Sequence, residues 1–467
     1  MSFLSIEFGL CFTLFFILYW SLCWSVRLQN LLLLAASYGL VASFSLPALG
    51  ILLGYSALVH VLGRLAARHP GRGFNTVLLL ALVLGCFYLF KYQAFFVEGA
   101  QAALAAAGLT VSLPIVEVLA PIGLSFYAFH SVSYLVSVNR RELAPVAALD
   151  VALYLAFFPS LVAGPVNRAA HLLPQIRPTA MRQVLEPQRA LGLIALAVVK
   201  LFLLGGWLAS TWVDPVFDTP GSYTPEQVLL SVYGYSFLIY FNFSGYTNLV
   251  TGIALLLGFR LPENFDAPYA ARNLKAFWGR WHISLSRFIR DYVYIPLGGN
   301  RRGAWRGNLN MLLAMLVSGL WHGASANFLI WGALHGVGLA LYKLFDALLP
   351  GFARAPGSDL LARLLTFHYV AFAWIFFRSP TLGGAWEMLD AITGVSLAGL
   401  NSATGALLLG CVLYVASYPQ WLMLLRQGSA ASQRLPWALY PVPLAVFMAL
   451  VIFASQSGVP GFIYASF

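Results

Sequence analysis

Two of the eight histidines, His282 and His322, lie where an imidazole could do chemistry. His322 is part of SGLWHGASANF (318–328), inside a run between Arg306 and Lys343 that contains no Asp, Glu, Lys or Arg. It follows Arg306 by 16 residues (322 − 306), or about 24 Å of helix, so we expect it deep within an apolar region. A polar side chain at such depth is costly and usually faces protein or a water-filled cavity, which makes His322 a candidate functional residue.

An uncharged imidazole in a low-dielectric site suits general-base chemistry, because its pKa lies near neutral pH. It can take the proton from a hydroxyl group that attacks a thioester. No Ser or Cys lies in a nucleophile-elbow context, so we predict direct transfer with His322 as the base rather than a covalent relay. The small residues from Gly323 to Ala326 are expected to give a substrate room beside the imidazole and to break the helix. The alternative is a neutral buried histidine that hydrogen-bonds a carbonyl group and only holds helices together.

A metal site is a weaker interpretation of these histidines. His322 and His335 are 13 residues apart (335 − 322), which would place them on roughly opposite faces of one helix. No carboxylate or Cys accompanies the pair. We therefore expect no metal and no permanently bound cofactor. The other five histidines have no neighbours that suggest chemistry, and structural or loop roles are expected for them.

The composition indicates which elements must position these residues. Of the 467 residues, 60% are hydrophobic and 9% are charged, whereas soluble domains carry about a quarter charged residues. The N-terminal segment lacks a basic region and a cleavage site, so we expect an uncleaved first span. We predict an all-α polytopic membrane protein of about 10–12 transmembrane or re-entrant helices, with residues 1–467 forming one membrane-embedded domain and no soluble domain.

The loop-helix region 260–308 carries most of the positive charge. It has nine Lys and Arg residues against three acidic residues, a balance of +6 (9 − 3) out of +11 for the chain. By the positive-inside rule we expect this face to be cytoplasmic. Contact with anionic headgroups explains such charge, and nucleic acid is not an expected partner.

The same region is rich in aromatic residues. Four apolar residues recur at helical spacing and predict an amphipathic helix: Phe277, Trp281, Leu285 and Phe288. Three arginines, at positions 280, 287 and 290, fall mostly on the opposite face. Two interpretations stay open, namely an interfacial helix anchored in the headgroups and a helix over a cytoplasmic mouth whose arginines face an anionic ligand.

Two separated histidine motifs resemble those of the membrane-bound O-acyltransferase family: FWGRWHISLSRFIRDYVYIPLGGN (277–300) and GLWHG (319–323). They are similar in particular to the bacterial alginate O-acetyltransferase branch. The likeness extends from the first span to about residue 380 through further segments: 119–136, 158–166, 240–259, 261–269 and 329–336. Asn242 and Asn248 stand where the alginate branch has Asp, so the acceptor is not assigned to alginate specifically.

The resemblance implies a ring of helices around a central tunnel and acyl transfer from a cytoplasmic thioester, here acetyl-CoA. His322 matches the essential histidine of the family. His282 matches its second polar position, where it would position or polarise the acyl group. The remaining expected site residues are groups that would hold the phosphates of acetyl-CoA and residues that would line the tunnel: Arg280, Arg287 and Asn300, and Trp281 and Trp321, respectively.

We therefore expect an O-acetyltransferase of the bacterial inner membrane that passes acetyl outward to an exported polysaccharide such as cellulose, alginate or another exopolysaccharide. Expected partners are acetyl-CoA, membrane lipids, a polysaccharide biosynthesis complex and a periplasmic or membrane-anchored acetyltransferase that completes the transfer. Within the same fold, O-acetylation of peptidoglycan and D-alanyl transfer to teichoic acid are alternatives. Outside the enzymes, a polysaccharide or lipid-linked transporter and a synthase scaffold are the rival interpretations.

Overall fold

A computed structural model describes residues 5–71, 73–115, 121–161, 164–350, 358–396, 402–432, 436, 439 and 441–454. These residues form helices and no β-strand, which confirms the all-α fold class. Seven of the described helical stretches are long and apolar enough to cross a membrane: Val26–Phe44, Leu46–Arg68, Val77–Ala106, Pro187–Asp218, Pro225–Leu256, Ala326–Leu348 and Ser358–Arg378. Three shorter apolar helices accompany them. The chain is thus a multi-pass membrane protein, and the total of about 10–12 spanning or re-entrant helices stays a prediction.

The chain divides into two compact units, and the first comprises Met1–Glu186 and Ile253–Pro262. Its described residues form eight α-helices: α1 (Ile6–Ser21), α2 (Val26–Phe44), α3 (Leu46–Arg68), α4 (Gly73–Phe87), α5 (Gln93–Ala106), α6 (Leu124–Asn139), α7 (Ala148–Ala156) and α8 (Ala169–Ile176). The expectation that residues 1–467 act as one membrane domain without a soluble domain stays a prediction.

The second unit comprises Pro187–Gly252 and Glu263–Phe467. Its helices begin with α9 (Pro187–Val198), α10 (Gly206–Leu208), α11 (Asp214–Asp218) and α12 (Pro225–Leu256), whose last turn belongs to the first unit. They continue with α13 (Leu274–Trp278), α14 (Ile283–Ile289), α15 (Gly303–His322), α16 (Ala326–Leu348), α17 (Ser358–Arg378), α18 (Leu382–Ile392), α19 (Ser402–Ser432) and α20 (Pro441–Ala454). All the candidate site residues lie in this unit.

A buried polar network organises the first unit around His130. The backbone N–H of Asn167 donates to His130 Nε2 at 3.3 Å. The Tyr154 hydroxyl donates to the His130 carbonyl oxygen at 3.1 Å, and the Asn167 amide donates to Ser160 at 2.8 Å. These bonds satisfy polar groups that would otherwise be costly to bury. The structural role expected for His130 stays a prediction, which this network supports.

The pair α15 and α16 forms a helical hairpin whose backbones touch through glycines. A Cβ atom at Gly332 would lie 2.5 Å from the Met315 carbonyl oxygen, and one at Gly336 would lie 2.9 Å from Leu312 Cα. A Cβ atom at Gly319 would overlap the Phe328 carbonyl oxygen. Small residues permit this close approach of two helices.

The helix break expected after His322 is also present. His322 is the last residue of α15, and the backbone turns extended at Gly323. Ser325 then caps α16, because its hydroxyl oxygen accepts a hydrogen bond from the Phe328 N–H. His322 therefore lies at the tip of the hairpin, about 30 Å of helix from Gly303.

The single amphipathic helix predicted across residues 277–288 is wrong. The segment forms two short helices, α13 and α14, separated by a turn in which His282 has left-handed backbone angles, φ 40° and ψ 53°. The four periodic apolar residues are all buried, so their spacing reflects burial on both sides of a turn. Long-range hydrogen bonds hold this turn, since the Ile283 N–H donates to the Asn264 carbonyl oxygen at 3.0 Å.

Replacing Gly332 by Ala is expected to lower the free energy of unfolding by about 1–3 kcal/mol, because the added methyl group meets backbone and forces α15 and α16 apart. Gly192 in α9 is the matched control, since nothing lies within 4 Å of a Cβ atom there. Gly192→Ala should be neutral or stabilising by up to about 1 kcal/mol. Thermal unfolding of both variants in detergent measures the difference, and equal midpoints would contradict the close contact.

Candidate functional site

The fold brings His282 and His322 into contact with the same indole ring, that of Trp321. The Trp321 ring centroid lies 6.0 Å from that of His282 and 4.7 Å from that of His322. Both histidines are buried, with exposed fractions of 1% and 3%. His282 is held by the turn between α13 and α14, and His322 by the end of α15. Two residues forty positions apart in the sequence therefore belong to one site.

Aromatic side chains surround His322. Its ring centroid lies 5.0 Å from that of Trp331 on α16 and 5.0 Å from that of Phe377 on α17. Phe328 stacks at 6.2 Å on the imidazole. These aromatic rings keep the local dielectric constant low, which strengthens each polar interaction that His322 makes.

The clearance expected beside His322 is absent at Gly323. A Cβ atom at Gly323 would overlap the Phe328 ring, which fills the space that the missing side chain leaves. The expectation that Gly323 makes room for a substrate is therefore wrong. The glycine instead lets Phe328 pack close enough to stack on the imidazole. A small residue can leave room for a substrate or let another side chain pack closely. The sequence does not distinguish these two roles for Gly323, because Phe328 lies on the next helix.

His282 is neutral and its ring is fixed. Burial lowers the pKa of His282 to about 3, so the imidazole is uncharged at physiological pH. Its Nδ1 atom is hydrogen-bonded to Asn264 Oδ1 at 3.1 Å. The ring of Phe243 meets the imidazole edge-on at a centroid distance of 4.6 Å. A neutral imidazole in a fixed orientation is what proton transfer or substrate positioning requires.

A cavity of about 360 Å³ lies along the α15–α16 hairpin. Four of its lining residues recur on one face of α15: Met311, Ala314, Met315 and Ser318. Continuing the same spacing reaches Trp321 and His322, so His322 lies on the cavity face one turn, about 6 Å, beyond Ser318. Leu285 on α14 and Trp278 on α13 line other sides. Neither His282 nor His322 lines the cavity; Ser318 is the lining residue of α15 that comes nearest to His322 along the helix.

The opening of this cavity is cationic. Lys275 and Arg290 line it and are exposed, whereas Ala314 and Ser318 on its inner wall are buried. Lys343 also lines it, and its ammonium group donates to Asn308 Oδ1 at 3.0 Å and to Asn300 Oδ1 at 3.3 Å.

The Tyr294 hydroxyl donates to the same Asn300 oxygen at 2.8 Å. Arg290 pairs with Asp291, with 2.6 Å between Nε and the carboxylate oxygen. Three cations and one amide thus surround the opening.

The other predicted binding residues lie elsewhere in this unit. Asn300 lines the cavity, but Arg280 and Arg287 do not. Arg280 reaches back to the Asp266 carbonyl oxygen at 3.4 Å, and Arg287 is exposed. Trp281 packs among aromatic rings, 5.1 Å from Trp374, and Trp321 contacts both histidines. Their assigned roles in binding stay predictions.

The sequence interpretation missed two of the cavity cations. From the sequence alone, Lys275 is one of nine basic residues in the region 260–308, and Lys343 marks the end of the uncharged run. The signal for Lys343 was its position on α16, because it recurs with Leu339 and Tyr342 on the helix face that also carries His335. Recognising that face required knowledge that α16 folds back along α15.

Comparison with known proteins identifies the family. The model of the membrane-bound O-acyltransferase family matches residues 72–377. The probable alginate O-acetylase AlgI of Pseudomonas syringae pv. tomato is 35% identical over 396 residues, 81% of this chain and 74% of the relative. The peptidoglycan O-acetyltransferase of Helicobacter pylori is 33% identical over 307 residues, 60% of this chain and 58% of the relative.

A more distant relative carries a different acyl group. The teichoic acid D-alanyltransferase of Bacillus subtilis is 28% identical over 273 residues, 55% of this chain and 68% of the relative. The match to the family model runs from α4 to α17, which is most of the chain, and includes both His282 and His322. The resemblance read from the two histidine motifs is confirmed: the chain belongs to the membrane-bound O-acyltransferase family and is a membrane-embedded acyltransferase.

Proposed function

We propose that the protein is an O-acetyltransferase that takes acetyl from acetyl-CoA and passes it across the membrane for transfer to an exported polysaccharide. The observation that carries this proposal is the cavity along α15, which is cationic at its opening and one helical turn from His322 at its inner wall. Relatives named alginate O-acetylase and peptidoglycan O-acetyltransferase support acetyl as the transferred group and a cell-surface polymer as acceptor.

The cavity suits a donor with an anionic head and an uncharged arm. Acetyl-CoA has phosphates at one end and a thioester at the end of a flexible arm. The volume of about 360 Å³ is near the lower end of the range for ligand sites, about 300–1,000 Å³, so the arm enters and the nucleotide stays outside. Guanidinium and ammonium groups bind phosphate oxygens well. The groups proposed at the phosphates are Arg280, Arg287, Arg290, Asn300, Lys275 and Lys343.

His322 acts as the general base in the proposed reaction. It takes the proton of an acceptor hydroxyl group while the hydroxyl oxygen attacks the carbonyl carbon of the thioester. The C–S bond then breaks, and the sulfur leaves with the proton as the free thiol of CoA. The rings of Trp331, Phe377 and Phe328 exclude water, which limits wasteful hydrolysis. His282, which also contacts Trp321, positions the reacting groups.

The direction of transfer follows from charge. The basic region 260–308 faces the cytoplasm of a bacterial inner membrane, where acetyl-CoA is made, and the acceptor side lies across the membrane. A periplasmic or membrane-anchored acetyltransferase, associated with a polysaccharide biosynthesis complex, receives the acetyl group and completes the transfer. The acceptor is an exopolysaccharide such as cellulose or alginate.

The similarity pattern favours acetyl over D-alanyl transfer. The alginate O-acetylases match about four-fifths of the chain at 34–35% identity, against 55% of the chain at 28% for the D-alanyltransferase. A transporter or a synthase scaffold does not account for membership of an acyltransferase family. If the purified protein captured an acyl-carrier protein, that result would favour the D-alanyl alternative. Protection of the protein by CoA would favour acetyl transfer.

His322→Ala is expected to slow acetyl-CoA consumption by about 10²–10⁴-fold, because the attacking hydroxyl group loses its base. Purified full-length protein with acetyl-CoA and a hydroxyl acceptor provides the assay, with release of free thiol as the readout. His69→Ala is the matched control, since His69 is exposed at the end of α3, and it should retain wild-type activity. A His322→Ala variant that consumed acetyl-CoA at the wild-type rate would refute the role.

Replacing Lys275 and Lys343 together by Gln is expected to raise KM for acetyl-CoA at least about tenfold, because each charged hydrogen bond to a phosphate contributes about 1.5–3 kcal/mol. The kcat should stay within about threefold, since neither residue reaches the thioester. Arg306→Gln removes a positive charge from the same basic region, outside the cavity lining, and should leave KM unchanged. A double variant with wild-type KM would exclude this cavity as the donor site.

A further inference from the structure

Asn264 makes four hydrogen bonds to the turn that carries His282. It lies in the motif LPENFDAPY (261–269) and is 1% exposed. Its side-chain oxygen is bonded to three groups: His282 Nδ1 at 3.1 Å, the Ser284 N–H at 3.3 Å and the Ser284 hydroxyl at 2.7 Å. Its carbonyl oxygen accepts from the Ile283 N–H at 3.0 Å. Nothing in the proposed reaction yet uses this residue.

The chemistry of these partners determines where the protons lie. A backbone N–H can only donate, so the Asn264 atom that the Ser284 N–H meets is the oxygen and not the amide nitrogen. An amide oxygen can only accept. His282 Nδ1 therefore carries a proton that it donates to Asn264, and in the neutral ring the Nε2 atom is then an acceptor.

We propose that Asn264 is a positioning residue that holds His282 in the tautomer with its proton on Nδ1, so that His282 takes part in transfer through Nε2 as a hydrogen-bond and proton acceptor. This inference rests on the proposed function, because it concerns how His282 serves that reaction. It narrows the role of His282: a neutral ring without a proton on Nε2 cannot polarise a thioester carbonyl group, which needs a donor. It can orient the hydroxyl group that attacks.

The backbone at His282 supports the same conclusion. A non-glycine residue with positive φ is strained and persists only where the surroundings enforce it. Asn264 supplies that enforcement from about twenty positions earlier in the chain, through its carbonyl oxygen and its side chain. Phe243 and Trp321, whose rings contact the imidazole, carry no charge.

Three variants distinguish an effect of Asn264 on the His282 tautomer from structural support of the turn. Asn264→Leu removes the acceptor and is expected to lower acetyl-CoA turnover by about 10–100-fold, the usual effect of losing a partner that orients a functional histidine. Asn264→Asp keeps the acceptor and adds a negative charge that stabilises the imidazolium. It should therefore remain active, with the acid limb of its pH–rate profile moved to higher pH. Ser284→Ala removes one bond to Asn264 and leaves that to His282, so it should lose at most about threefold with an unshifted profile.

A direct readout is independent of turnover. Nitrogen-15 NMR of the histidine-labelled full-length protein, with His282→Gln to identify the signal, should show the His282 proton on Nδ1 in the wild type. That preference should be lost in Asn264→Leu, provided that its thermal unfolding shows a folded protein. A proton on Nε2 in the wild type, or an Asn264→Asp profile that superimposes on the wild-type profile, would overturn the inference. Full activity of His322→Ala would instead overturn the proposed function.

Discussion

The close contact of α15 with α16 is the constraint on which the rest of the site depends. Backbone meets backbone at Gly332 and Gly336, so the two helices share a fixed register. That register places the lining face of α15 opposite that of α16 and puts His322 at the tip of the hairpin. Residues of α13 and α14 complete the lining of the cavity along the hairpin.

The site combines two imidazoles with different supports. His322 ends a long helix and is surrounded by rings, so its position is set by packing. His282 lies in a strained turn, and hydrogen bonds to Asn264 fix its orientation. Trp321 contacts both, and movement of either support changes the distance between them. A membrane acyltransferase benefits from such rigidity, because the reacting groups keep their alignment without solvent.

Local patterns predicted the features that local physics determines. The uncharged run predicted α15 as a helix, the small residues after His322 predicted its end, and the two histidine motifs identified the family. The kink at His282 was missed because its cause, Asn264, acts across the chain, and helical spacing of buried residues does not reveal a turn. Lys275 and Lys343 were missed because their common position at one opening depends on how α13 and α16 pack.

The packing of Phe328 against Gly323 has an evolutionary consequence. The ring occupies the volume that any side chain at position 323 would need. Substitution at one of these positions is therefore tolerated only when the other changes in the opposite sense of size. Among related chains, positions 323 and 328 should vary together, and a relative with a larger residue after the histidine that matches His322 should carry a smaller one five positions later.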